Sequence, residues 1–136
     1  MISFEQKYSM GTQGGKYQIV WDISALISDL KHASFTIENC KVSCLAQSNL
    51  FFGDPAYAMR TNLEIPCIIV QLGEDIEKLI DGHHRLYKAR QLHRGYMPCY
   101  VLPIEYHKKF IVGYDDVVYE TVISAYAKEV VLQCCP

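Results

Sequence analysis

Apolar residues in the middle of the chain follow two different spacings, which together predict a pair of strands. The stretch IPCIIVQL at 65–72 is an almost continuous apolar run, which is typical of a buried strand. The stretch IEKLI at 76–80 alternates between apolar and charged residues, which favours a strand with one buried face. Because only GED at 73–75 separates them, we predict that the two strands pair as a hairpin.

The residues that follow the hairpin change to a helical spacing. Leu86 and Ala89 lie on one side of a predicted helix over 83–94, and Gly95 is a natural helix stop. The stretch MPCYVLP at 97–103 then predicts a further strand. This part of the chain is therefore predicted to run strand, strand, helix, strand.

Aspartates mark the start of three further predicted helices. An aspartate side chain just before a helical pattern can accept hydrogen bonds from the first backbone N–H groups of the helix. The three predicted caps are Asp22 before ISALISDLKHA, Asp54 before a short helix that starts at Pro55, and Asp115 or Asp116 before a C-terminal helix.

The remaining segments complete the predicted fold. YQIVW at 17–21 and SFTIENCKVSCL at 34–45 are rich in β-branched or alternating residues and are predicted to be extended. We therefore predict an α+β fold, a single small domain with a mixed β-sheet packed by about three helices. Residues 1–16 are predicted to be a flexible, glycine-rich segment, 17–103 the main domain, and 104–136 its helical extension.

Composition narrows the classes of protein to which the chain can belong. Its 136 residues are half apolar and carry a formal net charge of −2. The chain therefore lacks the excess of basic residues that would predict direct nucleic-acid binding. We find no targeting segment and no apolar run of the roughly 18 residues that a membrane span needs, which predicts a cytoplasmic protein without a membrane partner. The six cysteines are then expected to be reduced thiols.

The densest group of polar residues is DGHHR, at the predicted junction between strand and helix. Gly82 would let the backbone turn sharply and let a ligand approach closely. The first N–H groups of a helix lack partners within the helix and, with the helix dipole, they bind anions. Arg85 adds a cationic fork suited to phosphate, and His83 or His84 could donate to phosphate or move a proton. Asp81 could bind Mg²⁺ or a hydroxyl group.

Two other interpretations fit this stretch of the sequence. Asp81 could be a simple N-cap and Gly82 a simple turn, with both histidines as ordinary surface residues. A zinc site built from Asp81, the two histidines and the more distant His93 is disfavoured, because the chain has no HxxxH pair.

Residues 66–103, PCIIVQLGEDIEKLIDGHHRLYKARQLHRGYMPCYVLP, resemble the ParB/sulfiredoxin superfamily. The shared pattern is proline, strand, turn, strand, DGHHR, helix, glycine, strand, and YQIVWDISALI is similar to the family's first strand and helix. The resemblance implies a nucleotide-binding domain over 17–103 whose GxxR-type loop grips phosphates. In this chain the loop residues are Gly82, His83, His84 and Arg85.

Departures from the family pattern restrict what the resemblance implies. Sulfiredoxins carry a cysteine directly after the loop glycine, where this chain has His83, so sulfinic acid reduction is not expected. ParB partition proteins continue into a DNA-binding domain, which this chain has no room for after residue 103, so DNA contact is expected only through a partner. The free serine kinases match DGHHR best and use an acidic residue early in the chain. Glu38 is the best candidate for it, with Asp22 and Asp29 as rivals.

The sequence and the resemblance together predict a nucleotide-binding protein that takes ATP, ADP or CTP with Mg²⁺. It would hydrolyse a nucleoside triphosphate or transfer phosphate to a small hydroxyl-bearing substrate, as a Mg²⁺-dependent ATPase or small-molecule kinase. Asp81, which would also hold the metal, His83, His84 and Glu38 are the predicted catalytic residues. The alternatives are a non-catalytic nucleotide-sensing or protein-interaction module working with a DNA-binding partner, and a ParB-like nuclease. A homodimer is a further open prediction.

Overall fold

The computed structural model describes residues 6–48 and 53–134, and in these it contains six strands, six α-helices and one short 3-10 helix. The strands are β1 (Lys7–Gly11), β2 (Gln18–Asp22), β3 (Glu38–Lys41), β4 (Cys67–Gly73), β5 (Ile76–Asp81) and β6 (Tyr96–Leu102). The helices are α1 (Ile23–Leu30), α2 (Val42–Ser48), α3 (Pro55–Ala58), α4 (His83–Gln91), α5 (Ile104–His107), the 3-10 helix Lys108–Phe110, and α6 (Asp116–Cys134). The predicted α+β class is confirmed, and three of these α-helices have eight or more residues.

The chain divides into two compact units. Unit 1 comprises Met1–Phe35 and Pro103–Pro136, and unit 2 is the continuous stretch Thr36–Leu102. Unit 2 contains a mixed sheet in the order β3-β6-β4-β5, in which β4 and β6 are parallel and the other pairs antiparallel. The predicted hairpin of β4 and β5 is therefore confirmed. The DGHHR stretch lies at the end of β5, which is one of the two edge strands of this sheet.

The core of unit 2 fixes α4 against the sheet. The helix turns Leu86 and Ala89 inward, as their spacing predicted, where both are buried. They belong to a cluster of buried apolar side chains, which also includes Val42, Leu63, Cys67, Ile69, Leu79, Met97 and Cys99. Because burial of a large apolar side chain such as Leu86 contributes about 1.5–3 kcal/mol, this packing anchors α4 on the sheet.

Unit 1 is built around a buried tryptophan. Strands β1 and β2 pair antiparallel, and Trp21 on β2 is fully buried. Its Nε1–H donates to Nδ1 of the buried His107 at 3.2 Å, and Trp21 also forms an isolated β-bridge with Ile111. These contacts join the N-terminal strands to the segment that follows α5.

Three local features differ from the sequence prediction. Strand β1 lies inside the segment expected to be flexible, because β2 supplies its hydrogen-bonding partner. The stretch predicted to be extended over 34–45 becomes helical at Val42, which packs into the core at helical spacing from Leu45. Helix α4 ends at Gln91, and the left-handed residue that closes it is His93, with φ 55°, rather than Gly95.

The predicted aspartate caps are confirmed. Asp22 accepts from the backbone N–H of Ala25 at 3.0 Å, and Asp54 accepts from that of Ala56 at 3.0 Å. At the start of α6, the cap is Asp115, which accepts from the N–H of Val118 at 3.0 Å.

None of the helices in the described part of the chain combines the length and the apolar character needed to cross a membrane. The cysteine side chains that the structure describes, Cys40, Cys44, Cys67 and Cys99, are free thiols. The side chain of Cys134 and all of Cys135 lie outside the described residues.

Candidate functional site

Helix α4 starts on a left-handed glycine. Strand β5 runs through Asp81, and the N-cap is Gly82, with φ 109° and ψ 20°. The N-cap glycine has no side chain that could hydrogen-bond to the first turn, whereas the N-cap aspartates of α1 and α3 do so. The simple N-cap interpretation of Asp81 is therefore wrong, because the strand extends one residue further than that interpretation requires.

The Gly82 backbone is packed against a cysteine of the neighbouring strand. The buried Cys67 thiol lies 3.8 Å from the Gly82 carbonyl, to which it donates a weak hydrogen bond. A Cβ atom at residue 82 would overlap Cys67 Sγ and would stand 2.8 Å from Cys67 Cβ and 3.2 Å from Arg85 Nη2. Glycine is thus required here both by the backbone conformation and by the space.

Arg85 joins the two ends of the DGHHR stretch. Its Nη2 donates to Asp81 Oδ2 at 3.0 Å, and its Nη1 donates to the carbonyl of Ile65 at 3.4 Å. The Arg85 and Asp81 side chains are only 12% and 16% exposed, so water screens this ion pair less than it screens a surface pair. The Asp81 carboxylate, predicted to bind Mg²⁺ or a hydroxyl group, is therefore engaged by Arg85. A guanidinium has five N–H donors, so Arg85 retains donors for a ligand.

The two histidines have different environments. Burial, then the positive charge of Lys78, then His84, lower the pKa of His83 to about 4, so His83 is neutral at pH 7. The His84 ring meets the Tyr57 ring edge-to-face, with the centroids 4.9 Å apart and the planes at 86°. Tyr57 is 53% exposed, so it presents an aromatic surface beside the first turn of α4.

The lowered pKa of His83 makes unit 2 less stable in acid. Folding favours the neutral imidazole, so its contribution is complete above the unfolded pKa of about 6.5 and is lost as the pH falls towards 4. We expect the unfolding free energy to fall between pH 7 and pH 5 by about 1–2 kcal/mol from this residue, and His83→Asn to remove that dependence. Urea titrations at both pH values measure it. The matched control is His93→Asn, at an exposed histidine of the same unit; an equal effect there would contradict the assignment to His83.

Glu38 lies apart from the DGHHR stretch within unit 2. It is exposed on β3, opposite Cys99 of β6, and strands β6 and β4 separate β3 from β5. Its negative charge is one of the causes that raise the pKa of Glu77. Of its two rivals, which both belong to unit 1, Asp22 caps α1 and Asp29 accepts from the Tyr106 hydroxyl at 2.6 Å.

Two residues near the DGHHR stretch were not identified as part of a site from the sequence. The Cys67 pKa is lowered, first by a hydrogen bond with Cys99 and also by the positive charge of Arg85, against the effect of burial. Lys78 on β5 brings its charge close to His83. Another basic residue, Lys88 of α4, donates to the carbonyl of Thr61 at 2.6 Å and so connects α4 to the segment after α3. The contacts of Cys67 arise from the register of the strands, and no local motif in the sequence predicts them.

A metal site would need several ligand side chains close together. Within residues 6–48 and 53–134, no three His, Cys, Asp or Glu side chains are grouped so that they could hold a metal ion. Because Mg²⁺ at nucleotide sites is commonly held by one or two carboxylates together with phosphates, the metal role of Asp81 stays a prediction.

No protein-family model, curated protein or solved structure matches the chain.

Proposed function

We propose that the first turn of α4, with Arg85, binds the phosphates of a nucleotide and that the protein is a ParB-like nucleotide-binding protein. We call Gly82, His83, His84 and Arg85 the phosphate cradle. The observation that carries the proposal is that α4 begins at left-handed Gly82, with Arg85 Nη2 only 3.2 Å from the point that a Cβ of residue 82 would occupy. A helix start of this kind attracts an anion, because its N–H groups and the helix dipole both favour negative charge.

The charges around the cradle support phosphate as the ligand. Arg85 belongs to the first turn of α4, the positive charge of Lys78 acts on His83, and Arg85 retains N–H donors for a phosphate. His83 is neutral at pH 7 and can donate one hydrogen bond without adding positive charge. A bound phosphate would raise the His83 pKa, so we expect nucleotide binding to be accompanied by proton uptake at mildly acidic pH.

We propose further that the ligand is ATP, ADP or CTP with Mg²⁺, and that phosphate is transferred to water or to a small hydroxyl-bearing substrate. In such a reaction the protein mainly positions the groups and stabilises charge. Arg85 and the N–H groups of α4 would hold the phosphates, and His83 or His84 would donate to the oxygen that gains charge. Asp81 would need to exchange part of its contact with Arg85 for the metal or the hydroxyl.

The Asp81–Arg85 ion pair favours a second candidate function. In this arrangement Asp81 orients Arg85 towards the ligand and carries out no chemistry itself. The protein would then be a nucleotide-sensing module that binds without turnover and works with a DNA-binding partner. The ParB-like nuclease and the homodimer stay predictions, with no contact in the described residues that favours either.

Nucleotides are expected to raise the melting temperature of the protein. The protein is incubated with Mg²⁺ and ATP, ADP, CTP, GTP or tripolyphosphate, and thermal shift and phosphate release are followed. Arg85→Ala is expected to weaken nucleotide binding by about tenfold or more, because it removes charged hydrogen bonds to phosphate. Binding with phosphate release supports the catalytic proposal, and binding without release supports the sensing module.

The controls separate the cradle from the general charge of the helix. Arg90→Ala removes an exposed arginine from the last turn of α4 and should leave binding unchanged. Arg85→Lys keeps the positive charge but loses the forked guanidinium group. The unfolding free energy of this variant without nucleotide shows how much the contact of Arg85 with Asp81 contributes to stability. The cradle would be refuted if none of the five compounds bound, or if Arg85→Ala and Arg90→Ala weakened nucleotide binding equally.

A further inference from the structure

An exposed tyrosine lies directly beside the phosphate cradle. The ring of Tyr57 in α3 meets the ring of His84 edge-to-face, with the centroids 4.9 Å apart. Although this contact covers part of the side chain, Tyr57 is still 53% exposed to solvent. Tyr57 belongs to unit 2, like the cradle, and contacts it without being one of its four residues. A group attached to a bound phosphate would therefore start next to this aromatic ring.

Contacts on both sides of Tyr57 hold it in this position. The N-cap Asp54 closes the start of α3, and Ala58, the last residue of that helix, is fully buried. Shortly after the helix, the Thr61 carbonyl accepts from Lys88 Nζ of α4 at 2.6 Å. Tyrosine has few rotatable bonds, so a ring held in this way loses little conformational entropy when a ligand covers it.

A second exposed apolar residue borders the cradle. The Ile65 carbonyl accepts from Arg85 Nη1 at 3.4 Å, and Ile65 is about half exposed. Tyr57 and Ile65 thus contact His84 and Arg85, which are consecutive residues of the cradle. The cationic cradle therefore has an aromatic and an aliphatic residue as neighbours. This combination fits a ligand that joins a phosphate group to an uncharged planar ring.

We propose that Tyr57 stacks on the base of the nucleotide whose phosphates the cradle binds. The inference rests on the proposed phosphate cradle and names the part of the ligand that lies outside it. Stacking on an aromatic side chain accepts any base, because every base has a π-face. Within α3, Pro55–Ala58, Tyr57 is the only residue with a polar side-chain group, so this helix has no second group to recognise the edge of a base. The site then distinguishes a nucleotide from a bare phosphate chain, but it distinguishes one base from another only weakly.

The test compares ATP, CTP and GTP with tripolyphosphate, whose dissociation constants are measured by isothermal titration calorimetry with Mg²⁺. Stacking of one base on an aromatic side chain strengthens binding by about tenfold or more. We therefore expect each nucleotide to bind at least about tenfold more tightly than tripolyphosphate. The three nucleotides should differ from one another by less than about tenfold.

Substitutions of two equally exposed tyrosines test which ring is responsible. Tyr57→Ala should remove most of the advantage of ATP over tripolyphosphate, whereas Tyr57→Phe keeps the ring and should preserve it. The matched control is Tyr96→Ala, at the start of β6 in the same unit, which should leave the advantage unchanged. The ratio of the two affinities is the readout, because an indirect effect of Tyr57 on the cradle through His84 would change both affinities together.

The outcomes separate the stacking proposal from the cradle. If tripolyphosphate binds and the nucleotides bind no more tightly, stacking is overturned and the cradle stands; this result needs no variant. If Tyr57→Ala weakens ATP and tripolyphosphate equally, or if one base is preferred by much more than tenfold, stacking as proposed is also overturned. If none of the compounds binds, both the stacking proposal and the cradle are refuted.

Discussion

Gly82→Ala is expected to destabilise unit 2 by about 3 kcal/mol in urea unfolding. Two effects add in this variant. An alanine is strained at φ 109°, and its Cβ would overlap the Cys67 thiol, which is itself held in the buried core. The strand–helix junction must shift to make room, and a shift of the first turn of α4 would also weaken the proposed nucleotide binding. Urea titration and thermal shift with tripolyphosphate measure both consequences.

Two other glycines separate strain from overlap. Gly14 has φ 86° with nothing within 4 Å of an added Cβ, so Gly14→Ala should cost only the strain, about 1 kcal/mol. Gly95 has open space and no left-handed backbone, so Gly95→Ala should change stability by less than about 0.5 kcal/mol. If Gly82→Ala costs no more than Gly14→Ala, the packing against Cys67 does not constrain the junction. Cys67→Ala should recover part of the loss in the Gly82→Ala background, because it removes the sulfur from the overlap.

Trp21→Phe is expected to destabilise unit 1 by about 2–4 kcal/mol. The smaller ring leaves a void at a fully buried position and removes the N–H that donates to His107 Nδ1 at 3.2 Å. Hydrogen–deuterium exchange with mass spectrometry is the suitable measurement, because it reports unit 1 and unit 2 separately. We expect faster exchange in β1, β2 and the segment around Ile111.

The matched control removes a hydrogen bond of the same unit at a more exposed place. Tyr106→Phe deletes the hydroxyl that donates to Asp29 Oδ2 at 2.6 Å and should cost at most about 1 kcal/mol, because water can replace the partner. Similar effects of the two substitutions would mean that the buried pair of Trp21 and His107 contributes no more than a surface contact.

The sequence predicted the position of the candidate site but only some of the contacts between its residues. Because Asp81 and Gly82 end an alternating stretch and a helical pattern follows, the strand–helix junction and its glycine could be located. The contact of Cys67 with Gly82 could not, because it joins residues fifteen positions apart through the register of β4 and β5, which shifts between Ile68 and Ile69. An apolar run shows that Cys67 is buried but not which backbone it meets.

The same distinction between local and distant contacts applies to the fold. Asp22 and Asp54 were identifiable because a cap and the N–H groups it serves lie two or three residues apart. Strand β1 has a glycine-rich neighbourhood and was predicted to be flexible, since its stability comes from β2 and not from its own residues. The short helix α2 was missed because only the burial of Val42 and the packing of Leu45 on the core distinguish it from an extended stretch.

The order of the two units along the chain has a consequence for synthesis on the ribosome. All residues of unit 2 have been translated once Leu102 is added, whereas Trp21 must wait for His107, its partner 86 positions later. Vectorial synthesis therefore lets the unit that carries the cradle fold first, while β1 and β2 lack the second half of their core. That interval lasts about a second or less at about 5–20 residues per second, and during it the indole N–H of Trp21 lacks its partner on His107.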